Sequence, residues 1–183
     1  MTTSAQQTAA ALREQLANGS LAGRWTLDPA RSTATLHTKS MWGLAPVKGV
    51  FRQLEGSGKV SPTGEVTGRI ALATGALDTK NARRDTHLRS ADFFLSDTYP
   101  AITFRLDKLV PADGGVTVSG TLTVREISRP ISFPASVTVA GGGEVLLDAT
   151  VQVDRSEFGL TWNFLGGTAM KNTVTIHAVF TRS

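Results

Sequence analysis

The chain contains no cysteine, and that absence removes a disulfide framework, a thiolate metal site and a thiol nucleophile from consideration. Histidine is nearly as scarce. His37, His87 and His177 stand far apart with no HExxH-like pair, so neither a metal centre nor another cofactor is expected. Long apolar runs are missing as well. Met1–Ser20 carries neither a signal-peptide core nor a twin-arginine motif, and no stretch reaches the length of a membrane span, so a cytoplasmic location is the default expectation.

What is present suits one domain. The 183 residues are 40% hydrophobic, enough for a substantial core. A net charge of +4 and a pI near 9.9 invite a nucleic-acid reading. The cations are scattered, however, and the densest group (Lys80, Arg83, Arg84, Arg89) is interrupted by Asp78 and Asp85. That pattern reads as a solvated surface, without a nucleic-acid partner; an anionic surface or head group fits it better.

Most of the chain alternates apolar and polar residues at the two-residue spacing of half-buried strands. Trp25 and Leu27 share one face, then Ala34, Leu36 and Thr38, with His37 on the solvent side. The same alternation runs through Val47–Val60, Val66–Leu72, Ile102–Leu106, Val116–Val124, Ile131–Val139, Val145–Val153 and Val174–Phe180. Turn signals such as Asp113-Gly114-Gly115 and Gly141-Gly142-Gly143 separate the runs, and connections this short make neighbours antiparallel. About eight long strands with one apolar face make an all-β up-and-down barrel or a sandwich, and the strand length favours the barrel. Ahead of it, Ala10–Ala17 has helix formers with Leu12 and Leu16 one turn apart. This helix reads as resting on the outside, as a dimer contact, or as a cover over an opening. The division expected is an extension over 1–22 and a barrel over 23–183.

The inward faces carry small residues near mid-strand: Ala34, Gly49, Gly68, Gly120, Ala135, Ala149 and Ala178. Glycine also relieves bends in barrel strands, but alanine does not, so the set favours a narrow tube. With almost no charge inside, its occupant would be a long apolar chain, each buried methylene contributing up to ~0.8 kcal/mol. Two segments break the pattern with apolar residues, Ser40–Ala45 and Glu157–Gly167. Either they plug one end or they form the rim of the tube.

The stretch Asp78–Phe104 breaks it with polar groups. Asn81 suits the N-cap of a short helix with Asp85 in its first turn, and Phe93-Phe94 would drop into the barrel's end. Three readings of its charges stand at this point. They satisfy the backbone of a capping helix; or Arg84 and His87 meet the polar head of a chain in the tube; or Asp85 and His87 form an acid–base pair. The last lacks a recognisable nucleophile or oxyanion arrangement.

The order of Trp25-x-Leu27-Asp28-Pro29-x-x-Ser32, Gly49-x-Phe51, Asp78-Thr79-x-Asn81-x-x-Arg84-Asp85-x-His87-Leu88, Asp92-Phe93-Phe94, Tyr99-Pro100-x-Ile102-x-Phe104, Gly120-x-Leu122-x-Val124 and Arg155-x-x-Phe158-Gly159-Leu160 resembles the YceI-like polyisoprenoid-binding family. The resemblance runs from about Gly23 to the C-terminus. It implies a lipocalin-like eight-stranded antiparallel β-barrel holding a polyprenyl or similar amphiphilic chain, to which the residues themselves add a short capping helix and, outside the resemblance, an N-terminal helix. A homodimer is a further implication. Arg31 and Lys39-Ser40 depart from histidines common in relatives.

Together these readings predict a non-enzymatic carrier of a polyisoprenoid or fatty-acyl lipid, with transient membrane contact and no catalytic residue. Leu36, Phe51, Leu72, Phe104, Leu106, Leu122 and Phe133 are expected to line the tube. Met41, Trp42, Phe94, Phe158, Leu160, Trp162 and Phe164 are placed at its ends, with Arg84 and His87 as head-group contacts. The alternatives are a hydrolase or isomerase acting through Asp85 and His87, and a filled barrel serving as a protein-interaction module.

Overall fold

Pro29 cannot donate a ladder hydrogen bond, and the first strand breaks there. In the computed structural model, which describes residues 4–183 with side chains from Ala9 onward, β1 (Gly23–Leu27) and β2 (Thr33–Ser40) flank this break. Two bonds to Val179 hold the kink in place: Asp28 N donates to Val179 O at 2.8 Å, and Val179 N donates to the buried Ser32 hydroxyl at 2.9 Å. The run expected over Val47–Val60 is likewise split, into β3 (Ala45–Phe51) and β4 (Leu54–Val60). Then follow β5 (Val66–Ala73), the short β6 (Leu77–Asp78), β7 (Ala101–Ala112), β8 (Gly115–Val124), β9 (Ile127–Ala140), β10 (Glu144–Asp154) and β11 (Lys171–Arg182).

All pairings are antiparallel, and the ring closes as β1-β4-β5-β7-β8-β9-β10-β11 and back to β1, an eight-stranded barrel. β2 continues the position of β1 along β11 (Ile176 opposite Ala34), β3 pairs with β2, and β6 pairs with β3. The inward parity follows the alternation up to Asp107, where a bulge between Leu106 and Lys108 shifts the register of β7 against β8. Beyond it, Leu109 opposite Val118 resumes the apolar face.

One end of the barrel is sealed by α1 (Ser4–Ala17), longer than the Ala10–Ala17 segment expected. Leu12 and Leu16 are buried against Leu21, Trp25, Val60 and Val116. The Trp25 indole donates to Leu21 O at 3.1 Å, and Arg13 reaches Pro111 O at 3.1 Å. Of the three readings of this helix, resting on the outside is corrected: it covers an opening, because the barrel end offers its two leucines an apolar seat.

The other end is closed by the stretch that broke the strand pattern. α2 (Ala82–Arg89) is capped by the Asn81 side chain, which accepts from Arg84 N at 3.0 Å. Asp85 is buried and accepts from both the Thr79 amide and hydroxyl, while Arg84 Nε donates to that same hydroxyl at 2.8 Å. Thr79 thus ties both charged residues to the strand that precedes the helix. Phe93 and Phe94 are buried, and Arg125 fixes their backbone by donating to Phe93 O at 3.2 Å.

Candidate ligand-binding site

Between the α1 plug and the α2 cover lies a cavity of about 850 Å³. Its wall is almost wholly aliphatic and aromatic. Leu36, Phe51, Leu72, Phe104, Leu106, Leu122 and Phe133 all line it, as do Leu12 and Leu16 at the plugged end. The Phe104 and Phe133 rings approach to 5.5 Å between centroids across the intervening β8.

The small residues do not open this space, contrary to the sequence reading. Of the seven, only Gly68 borders the cavity. Ala34, Ala135, Ala149 and Ala178 are buried beneath larger neighbours. Gly120 makes room for Phe104: a Cβ there would meet the Arg105 carbonyl and lie 2.6 Å from the end of the Phe104 ring. The cavity comes from large side chains holding the wall apart, and the small ones let those side chains pack. On the β4–β5 wall, Gly58 faces Gly68, so bare backbone forms the boundary.

At the covered end, Phe94, Phe158, Leu160 and Trp162 border the cavity, and Arg84 and His87 do too. Met41, Trp42 and Phe164, expected at the same end, do not border the cavity. They are 60%, 69% and 69% exposed, on the β2–β3 turn and the loop after β10. The turn conformation explains this: Met41 and Trp42 adopt φ of 51° and 54°, in the left-handed region, on a tip outside the barrel wall. The two loops are joined where Trp42 N donates to Gly167 O at 3.0 Å.

His87 does not pair with Asp85. Its Nε2 lies 2.9 Å from Asp92 Oδ2, and its ring stands edge-on to Trp162 at 4.4 Å and to Phe93 at 5.2 Å. With Asp85 occupied by Thr79, the acid–base arrangement considered from sequence is not assembled. Among the described residues, no group of three metal-ligating side chains occurs.

Sequence reasoning missed Arg155. It opens the turn Arg155–Phe158 after β10 and is buried, 7% exposed. Nη1 donates to Leu160 O at 2.5 Å and Nε to Ala169 O at 3.0 Å, so the guanidinium clamps both ends of the loop. It stands 5.4 Å from the Phe93 ring centroid, and burial lowers its pKa from the ordinary value. Its Nη2 and the Thr38 hydroxyl, both of cavity-lining residues, are buried without a hydrogen-bond partner. The signal available was the arginine in the Arg155-x-x-Phe158-Gly159-Leu160 motif, but a charge at a strand's end reads as solvated until the loop is seen to fold back over it.

Residues 25–181 match the family model of the YceI-like domain. The chain belongs to the YceI-like family. A UPF0312 protein of Vibrio parahaemolyticus is 30% identical over 75% of this chain and 77% of its own. The YceI-like barrel also superposes on BcnA of Burkholderia cenocepacia, with TM-score 0.75 and 22% identity, covering 84% of this chain and 98% of BcnA. A polyisoprenoid binding domain from Saccharophagus degradans gives TM-score 0.69 at 16% identity, over 87% and 98% of the two chains. At these identities the two structures speak for the fold. The α1 plug lies ahead of the YceI-like match, and no helix among the described residues is long and apolar enough to cross a membrane.

Proposed function

We propose that this YceI-like protein is a non-enzymatic carrier of a long apolar amphiphile, a polyisoprenoid or fatty-acyl chain. The observation that carries the reading is the cavity of about 850 Å³ with an apolar wall and polar groups gathered at one end. Taking a chain atom as about as bulky as a water molecule, at ~30 Å³ each, the space admits on the order of 25 non-hydrogen atoms. The polyisoprenoid binding domain with the same fold supports the isoprenoid member of the class.

A membrane is the proposed source of the lipid. Apart from Val110, every large exposed hydrophobic residue among the described residues lies on the two loops at the covered end: Met41, Trp42, Leu44, Trp162, Phe164 and Leu165. Five such side chains on two protruding tips, with partly exposed Trp162 between them and the cavity, suit insertion among lipid head groups and fall short of the ~20–30 residues a side of a standard protein interface.

The carrier reading is tested by filling the cavity. Leu147 lines it from β10, and Leu147→Trp should abolish uptake of geranylgeraniol or hexadecanol while the near-UV circular dichroism stays that of a folded barrel. Undiminished uptake by a folded variant would contradict it.

A further inference from the structure

Every charged side chain bordering the cavity is a cation: Lys59, Arg69, Arg83, Arg84 and Arg155. No aspartate or glutamate among the described residues borders it. Lys59 and Arg69 point outward beside the bare Gly58–Gly68 wall, whereas Arg84 and Arg155 belong to the covered end. Of the acids near that end in sequence, Glu157 is exposed to solvent and lies outside ion-pair distance of Arg155, and three others are engaged. Asp85 is held by Thr79, Asp92 by His87, and Asp154 by the Ser156 amide and hydroxyl.

Arg84 and Arg155 therefore face the cavity with no carboxylate within ion-pair distance among the described residues. Arg84 donates to the Thr79 hydroxyl and carbonyl, and Arg155 donates to two carbonyls. Neutral acceptors orient a guanidinium without neutralising it. A buried cation left in that state is costly, and the cost falls when an anion joins it. The unpartnered Arg155 Nη2 and Thr38 hydroxyl supply two donors at this same pole.

We infer that the lipid carried by this protein has an anionic head group, a carboxylate or phosphate, received at the covered end by Arg155 and Arg84 with the Thr38 hydroxyl beside them. The inference rests on the carrier reading and narrows it from any long apolar chain to an acidic one. His87 takes a different part from the one expected of it. Held by Asp92 and packed against Trp162 and Phe93, it positions the aromatic wall around the Arg155 guanidinium.

The test compares ligands that share a chain and differ in the head: palmitate with hexadecanol, and geranylgeranyl phosphate with geranylgeraniol. Titrations against lipid-free protein should show the acidic member of each pair binding about tenfold tighter or more, as one charge-assisted contact would give. Thr38→Val and Arg84→Gln should lower the ratio of acid to alcohol affinity within each pair. Arg155→Lys, which keeps the charge, should retain more of it than Arg155→Met. Since Arg155 also clamps its loop, the Thr38 and Arg84 variants keep the test decisive if the Arg155 variants do not fold. Equal affinity for acid and alcohol would overturn the inference and leave the carrier reading standing. Failure to take up either member would overturn both. Inorganic phosphate binding as tightly as the phosphorylated chain would assign the pole to a free anion and overturn the lipid head group.

Discussion

Phe104 lies over Gly120, and that single contact shows how the cavity wall is built. The ring needs the missing side chain, so Gly120→Ala should cost about 1–3 kcal/mol through overpacking, read as a lower denaturation midpoint in urea. An unchanged midpoint would mean that the wall yields at this point. At the mouth, Asp78 accepts from Lys80 N at 2.9 Å and from Arg52 Nη2 at 2.9 Å, bonds that hold the chain as it turns into α2. The Lys80 amide, Arg52 and Lys80 side chains lower its pKa from 3.8 to about 2. Because the folded value lies below the unfolded one, the stabilisation is fully present above pH 4 or so and is lost as pH falls towards 2. Carbon-detected titration of the carboxyl should give a midpoint near 2, moving up in Arg52→Gln. A midpoint near 3.8 in the intact protein would refute the network. The role of Asp78 was not legible beforehand, since nothing in a sequence pairs it with Arg52, 26 positions away across β3 and β6.

α1 and the two loop tips are the elements that give the barrel its polarity, one closing an end and the other marking the mouth. Leu12→Asp with Leu16→Asp should leave the strands intact and speed release of a bound chain, since both leucines line the plugged end. An unaltered release rate would show that α1 does not retain the ligand. Trp42→Ser with Leu165→Ser should abolish co-sedimentation with phosphatidylglycerol-containing vesicles while uptake of ligand added from solvent stays normal. Retained sedimentation would place the membrane contact elsewhere. Met41, Trp42 and Leu165 hold positive φ, a conformation that is uncommon for bulky side chains, and do so on the tips that present them to solvent. The strands and the capping helix were legible because period-two alternation and an Asn N-cap are local signals. The plug and the outward tips were less so: whether Leu12 meets the barrel, or Trp42 faces out, depends on contacts distant in sequence. The same holds for Arg155, whose burial requires the loop to close between Leu160 and Ala169.

At the scale of the whole molecule, the eight-stranded ring is closed at one end and covered at the other, with an apolar space between and cations at the covered pole. A filled barrel would give the same strand pattern, so alternation alone did not distinguish the two; the expectation of a tube was met, though by large residues rather than small ones. An apolar chain in this space is sheltered from water along its length, each methylene contributing up to ~0.8 kcal/mol, so retention during purification is expected. Native mass spectrometry of protein purified without detergent, followed by solvent extraction, tests this most directly. An adduct of lipid mass is expected, which extraction removes and added geranylgeranyl phosphate or palmitate restores. A homogeneous unliganded mass, with no uptake of either lipid, would contradict it.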